Sequence, residues 1–248
     1  MYKRQILDDQ FILDKDRVHK ICDYLIAGNF GISLTIAGGV SIWLIDESLM
    51  RKLKQAGFYR FNFPIESGSQ NTLKFIRKPI DLRIAKEKIQ LASRLGFWTA
   101  GNFIIGFPYE TREDMAETIE FAYSSKLDFA IFLIAKPFAG SEMTEIFKKE
   151  GLFKGYLHGS DLLISTHDIK TMTASQLQRV HKNAIRGFIF SKILFFLNPL
   201  NVYTYFSPKL KTTDDIFYTI KLFMVSIFRV LIPGLTNRTL RLIGPIKY

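Results

Sequence analysis

The sequence predicts an α/β fold built on a parallel sheet, and three observations carry that expectation. Short apolar runs alternate with segments whose apolar residues recur every three or four positions. The runs read as continuously apolar, as strands do when helices cover the sheet. Polar residues and glycines then collect at the carboxyl ends of the runs, where barrels and open α/β sheets place their sites.

Taken in order, Tyr2 to Leu7 reads as a short strand ending in Asp8 and Asp9. Asp14 caps a helix that repeats Val18, Ile21, Cys22 and Leu25, with Gly28 beyond its end. A strand from Ile32 to Ala37 stops at Gly38-Gly39. Asp46 then caps a helix with Leu49 and Leu53 inward, and Gly57 stops it. The central strand, Tyr59 to Ile65, follows and ends in Glu66. After Pro79, Asp81 caps a helix carrying Leu82, Ala85, Ile89 and Ala92, closed by Gly96. The strand Trp98 to Gly106 precedes a capping-box start at Thr111 and Asp114, a helix through Met115, Ile119 and Ala122, and a strand from Phe129 to Ala135 that ends at Pro137.

With 248 residues, 48% of them hydrophobic and 23% charged, the chain can bury a sizeable core. A single cysteine, Cys22, excludes an internal disulfide, and its helical spacing reads as packing. His19, His158, His167 and His181 lack the pairing of a zinc site and read as surface or capping residues, so no metal site is expected. The N-terminus carries charges where a signal peptide needs an apolar core, which makes the cytoplasm the expected location. The net charge of +11 is unevenly placed, with 21 Lys+Arg against 19 Asp+Glu in residues 1–150 and 13 against 4 in the rest. Two regions are therefore expected, 1–151 and 152–248.

The stretch FNFPIESGSQ, Phe61 to Gln70, organises the first region. An apolar strand there delivers one carboxylate, Glu66, next to a Ser-Gly-Ser turn. Glu66 reads either as a strand-end acid satisfied by backbone amides or as a ligand-binding carboxylate at the mouth of a barrel.

The runs ILDDQF, GGVSI, IESGSQNTLKFIRK, NFIIGFPYETREDMAETIEFA and PFAGSEM, in unbroken order from Tyr2 to about Gly151, resemble the radical S-adenosylmethionine (SAM) enzymes. The resemblance is strongest to the subgroup with an upstream cobalamin-binding domain. It implies a partial (β/α) barrel that binds SAM across its strand ends, where a 4Fe-4S cluster cleaves it to a 5'-deoxyadenosyl radical. It places Asp8 and Asp9 near the amino-acid end of SAM, Glu66 and Ser67 at its ribose or amino-acid moiety, and Ile104 and Gly106 against adenine. Asn102 and Pro137 border the same ligand.

The chain departs from the family pattern at three places. The family's CxxxCxxC loop, whose three thiolates hold the cluster, is absent. The chain begins at what would be the second strand, so the expectation is a barrel lacking its first strand and cluster loop, completed by a separate N-terminal fragment or left as a non-catalytic remnant. Ser41 and Trp43 stand where the family often has Arg and Asp, and Pro79 stands where glycine is usual, with Lys78 before it expected to be a solvated helix-end charge.

The second region reads as helical from Thr173 to Leu197 and from Thr213 to Ile232, apolar but interrupted by Arg186, Lys192, Lys221 and Arg229. Asn198-Pro199 breaks the run, so spanning a membrane is not expected. An interfacial helix on anionic lipid, a lid over a hydrophobic small-molecule substrate, and an extra layer packed on the barrel all fit this pattern. Its basic residues are scattered singly without an RNA-binding signature, so nucleic acid is not an expected partner.

Overall fold

The computed structural model describes residues 2–155, 162–210, 213, 215–217, 219 and 220. His158, Lys221, Arg229 and most of the helix expected from Thr213 to Ile232 lie outside the described residues. The elements run β1 (Tyr2–Ile6), α1 (Lys15–Gly28), β2 (Ile32–Ile36), α2 (Glu47–Gln55), β3 (Phe58–Glu66), α3 (Gln70–Phe75) and α4 (Leu82–Arg94). They continue with β4 (Trp98–Ile105), α5 (Arg112–Ser124), β5 (Phe129–Ile134), α6 (Glu142–Lys149), α7 (Ala174–Phe196) and α8 (Pro199–Phe206).

Helix starts follow from short polar side chains that accept the first free backbone N–H groups. Asp14 accepts from Arg17, Asp46 from Leu49 and Asp81 from Ile84. Thr111 with Asp114, and Thr173 with Gln176, close reciprocal capping boxes. Helix α1 runs through Gly28 and ends at Asn29, whose left-handed backbone (φ 42) provides the stop expected of the glycine.

All strand pairs are parallel and the order is β1-β2-β3-β4-β5. Each crossover therefore steps to the next strand in the same direction, and right-handed crossovers then put the connecting helices on one face. Helix α2 packs on β3, α4 and α5 pack on β4, and α7 packs on β5. The core lies between sheet and helices and is rich in aromatic rings. Phe61 stacks on Phe97 with centroids 4.0 Å apart, and Phe103 stacks on Phe132 at 5.5 Å.

The opposite face differs, and it corrects the expectation of continuously apolar strands. Along β3, Phe61, Phe63 and Ile65 are fully buried against the helices, whereas Arg60, Asn62, Pro64 and Glu66 alternate with them and are half-buried. In β4, Phe103 and Ile105 are buried while Asn102 and Ile104 are half-buried. The sheet has one sealed face and one partly open face, the geometry of a barrel segment.

The described part of the second region is tied to this sheet. His181 on α7 is buried and its Nε2 lies 2.8 Å from the Phe132 carbonyl oxygen of β5. His167 is buried as well, with its Nε2 3.1 Å from the Gly155 carbonyl oxygen, so neither histidine is the surface residue expected. Helix α7 breaks at Leu197 and Asn198, and α8 leaves at 102° to it. No described helix is by itself long and apolar enough to cross a membrane.

After α8, Lys209 reaches Asp128 at the amino end of β5 in an ion pair whose side chains are 0% and 1% exposed. Both Asp128 oxygens are used, Oδ1 by Lys209 and Oδ2 by the Thr99 N–H and hydroxyl. Removing one partner of a buried pair strands the other charge, at a cost of about 3–5 kcal/mol. Asp128→Asn should lower the unfolding free energy by that amount in urea denaturation, and a loss under about 1 kcal/mol would show that the pair is solvated.

Candidate functional site

The carboxyl end of β3 is set by its sequence. Glu66 closes the strand with φ 69, a left-handed conformation that costs a non-glycine residue about 1 kcal/mol or more, and a register shift in the β3–β4 ladder accompanies it. Strain of this kind persists only where the surroundings hold it.

They do so through the Ser-Gly-Ser turn. Ser67 is fully buried, with its hydroxyl 2.8 Å from the Thr118 hydroxyl on α5 and 3.0 Å from the Ser69 N–H that donates to it. The Gly68 N–H donates to Thr118 Oγ1 at 3.0 Å. The Ser69 hydroxyl donates to Asp114 Oδ1 at 2.6 Å rather than capping α3. Gly68 is obligatory, because a Cβ there would sit 2.5 Å from the Phe121 Cβ and 2.8 Å from the Glu117 carbonyl oxygen. Burial opposes the Asp114 charge, but hydrogen bonds from Ser69, Thr111 and Asn71 outweigh it and hold the carboxyl below its usual value.

With its loop pinned, Glu66 points one oxygen at the Lys78 ammonium, 2.9 Å away, and the two side chains are 19% and 23% exposed. Lys78 in turn lies 5.6 Å from the Trp43 ring centroid. Lys78 is therefore a paired, half-buried partner of Glu66 rather than a solvated helix-end charge. One ammonium occupies one lone-pair direction, so the second carboxylate oxygen stays free for a ligand.

Beside Glu66 the open face offers two further polar groups. Asn62 and Asn102 stand on adjacent strands, where Asn62 pairs with Ala100 and Pro64 with Asn102. The Oδ1 of each is buried without a hydrogen-bond partner. Buried acceptors are nearly always satisfied, and leaving one unmet costs about 1–3 kcal/mol. Two unmet on one sheet face make it a candidate surface for a donor-bearing ligand. Ile104, half-buried on the same strand as Asn102, and Ile131, 37% exposed on β5, add apolar wall.

The end of β4 is held by Glu110, a residue absent from the site predicted by sequence. Its carboxylate is 3% exposed and accepts from the Gly106 N–H, from the Phe107 N–H at 3.2 Å and from the Thr72 hydroxyl at 3.4 Å. Gly106 needs its own identity, since φ is 88 and Leu177 of α7 would meet a Cβ at 2.5 Å. Pro137, buried, follows β5. At the β1 end, the Asp8 carboxylate accepts from the Gln10 N–H at 2.9 Å and pairs with Arg17 at 3.1 Å, while Asp9 is exposed.

The fold and this face define a one-sided parallel α/β sheet that offers a ligand the carboxyl ends of its strands. Residues 5–122 match the family model of the Radical SAM superfamily, to which this segment is similar. An uncharacterized methyltransferase of Pyrococcus horikoshii is 30% identical over 210 residues, covering 85% of this chain and 42% of that protein. Cytidylyl-2-hydroxyethylphosphonate methyltransferase of Streptomyces wedmorensis is 32% identical over 145 residues, 56% of this chain and 27% of that one. The chain thus spans less than half the length of either relative. Among solved structures, coproporphyrinogen III oxidase of Escherichia coli, a radical SAM enzyme, aligns with TM-score 0.42 and 21% identity over 48% of this chain and 28% of its own.

The family implies two groups, and the residues present fit them differently. An iron-sulfur cluster does not fit. Cys22 is fully buried on α1, where burial pushes its thiol up to about 11. Among the described residues no three His, Cys, Asp or Glu side chains are placed to hold a metal ion. SAM does fit, because the unmet Asn62 and Asn102 acceptors and the free oxygen of Glu66 suit a ligand that carries amino and hydroxyl donors.

Burial raises the Glu110 carboxyl from 4.5 to about 8, against the pull of the Gly106 and Phe107 N–H groups. A raised carboxyl binds its proton more tightly folded than unfolded, so its stabilisation is complete below 4.5 and is lost as pH rises toward 8. Glu110→Gln should flatten that segment of the melting-temperature profile; a wild-type profile level between pH 5 and 8 would refute the buried proton. Gly68→Ala should cost about 1–3 kcal/mol in urea denaturation by prying the turn from α5, and a neutral result would show that the turn yields freely.

Proposed function

We propose that this chain is the SAM-binding and substrate-binding portion of a radical SAM enzyme, of the cobalamin-linked subgroup, that acts on a hydrophobic small molecule by methyl transfer. The pair of unmet acceptors at Asn62 and Asn102 carries the reading of the ligand face. The names of the two methyltransferase relatives support the reaction class. Bound SAM supplies an activated group attached to sulfur. The chain's own residues position it: Glu66 offers one oxygen to the amino or ribose end, Asn62 and Asn102 accept from donors along the sheet, and Ile104 provides an apolar surface for the adenine ring. The thiolates of a cluster come, in this reading, from cysteines outside this chain, on a separate fragment or elsewhere in a longer protein.

Calorimetric titration of SAM into the folded chain should show weak binding, because no cluster contributes to its grip. Asn102→Ala and Asn62→Ala should each weaken it about fivefold to tenfold, and Glu66→Gln by about tenfold or more. No binding to the wild-type chain, or affinity unchanged in all three variants, would overturn the reading. Anaerobic incubation of the chain alone with iron and sulfide should give neither a stoichiometric cluster nor 5'-deoxyadenosine, measured by iron content and chromatography.

A second reading, a membrane-associated binding protein without radical chemistry, is favoured by one observation. Phe190, Leu194, Leu197, Leu200 and Tyr203 on α7, α8 and the bend between them are 51–72% exposed.

A further inference from the structure

A second cavity lies at the other end of the sheet, away from the Glu66 mouth. Helix α4 ends at Arg94 just before β4, and Lys126 follows α5 just before β5, so both stand at the amino ends of the strands. With Lys192 of α7 and Tyr205 of α8 they line a cavity of about 320 Å³. That volume is in the range of small-ligand sites. Among the described residues three cations line it, and no carboxylate does.

Arg94 and Lys126 have a simple local explanation, since cations at helix carboxyl ends are favoured by the backbone dipole. Lys192 has none. It sits in the body of α7 with its ammonium 5.2 Å from the Phe188 ring centroid and 5.9 Å from that of Phe195. The carboxylate that acts on it electrostatically, Asp128, already gives Oδ1 to Lys209 and Oδ2 to Thr99. Among the described residues Lys192 forms no ion pair. Two lysines thus share one saturated carboxylate, and an excess positive charge is left beside a cavity whose rim adds two more. Burial accordingly lowers the Lys192 ammonium to about 8, with Asp128 opposing and Lys209 adding to the fall.

We propose that this cavity binds a phosphate group, held by Arg94, Lys126 and Lys192 and flanked by Tyr205. The Arg94 guanidinium suits two oxygens of one phosphate, and the lysines neutralise the remaining charge. The aromatic rings of Phe195 and Tyr205 line the same cavity and receive an apolar or flat portion of the ligand. The phosphate belongs either to a soluble ester or to a phospholipid headgroup, because exposed Leu194, Leu197 and Leu200 lie on the neighbouring helices. This site is independent of SAM binding at the opposite strand ends.

The test uses the 248-residue chain. Pyrophosphate titrated by calorimetry reports the soluble source, and flotation with vesicles of phosphatidic acid against vesicles of phosphatidylcholine reports the lipid source. Saturable binding to one of the two phosphate probes, weakened about tenfold or more in Lys192→Met and in the rim variant Arg94→Gln/Lys126→Gln, is the expected result. Circular dichroism confirms folding. Should Lys192→Met fail to fold, the rim variant decides, since Arg94 and Lys126 are both exposed. Absence of saturable binding to both probes overturns the site, and so does binding equally strong in the folded variants. A chain that binds SAM but neither probe fails here alone.

Discussion

The constraint on which the rest depends is the sequential strand order. Five parallel strands in the order of the chain, given the right-handed crossovers that such units almost always have, leave no choice about where the helices go. They seal one face, and the other face stays available. In a doubly wound sheet the order reverses and both faces are covered, so a site is confined to the crevice at the reversal. Here the whole open face stays available, and the strand ends form its rim. The polar residues of β3 and β4 are tolerable on that account. Asn62 and Asn102 would be ruinous on the sealed side among Phe61, Phe63 and Phe103.

A second consequence concerns the acids. Four carboxylates at or near strand ends have different tasks, and burial separates them. Asp128 anchors Lys209, Asp114 holds the Ser-Gly-Ser turn, and Glu110 ties the Gly106 and Phe107 amides; all three are buried with their hydrogen bonds made inside the protein. Glu66 alone among these four combines partial exposure with a strained backbone and a single cationic partner. Three acids stiffen the frame so that the fourth can be held in a geometry it would not choose.

Much of this is legible in the sequence because it is local. The caps at Asp14, Asp46, Asp81 and Thr111 and the strand-end position of Glu66 follow from residue type and spacing, and the structure places them accordingly. What escapes is long-range. Ser67 and Thr118 are 51 positions apart, and Lys209 and Asp128 are 81 apart. No periodicity announces such partners. Lys78 misleads for the same reason, since a lysine after a short helix reads as solvated until the fold turns Glu66 toward it. Asn62 and Glu110 do leave a signal, an amide inside an aromatic strand and an acid just before a helix cap, but only burial gives either one its meaning.

The pairing of Glu66 with Lys78 also bears on how a ligand is admitted. A carboxylate waiting alone on a half-buried surface would be partly desolvated without compensation, and the protein would be poorer in stability for it. Lys78 supplies the counter-charge, and in that same position its ammonium lies 5.6 Å from the Trp43 ring centroid, a second favourable contact. The charge on Glu66 is thus compensated by an ammonium that is itself held by both the carboxylate and the ring. Trp43, at 39% exposure, stands at the surface beside this pair. The tryptophan that departs from the family's acidic pattern thereby acquires a role: it steadies the lysine that keeps the site's one strained carboxylate neutralised.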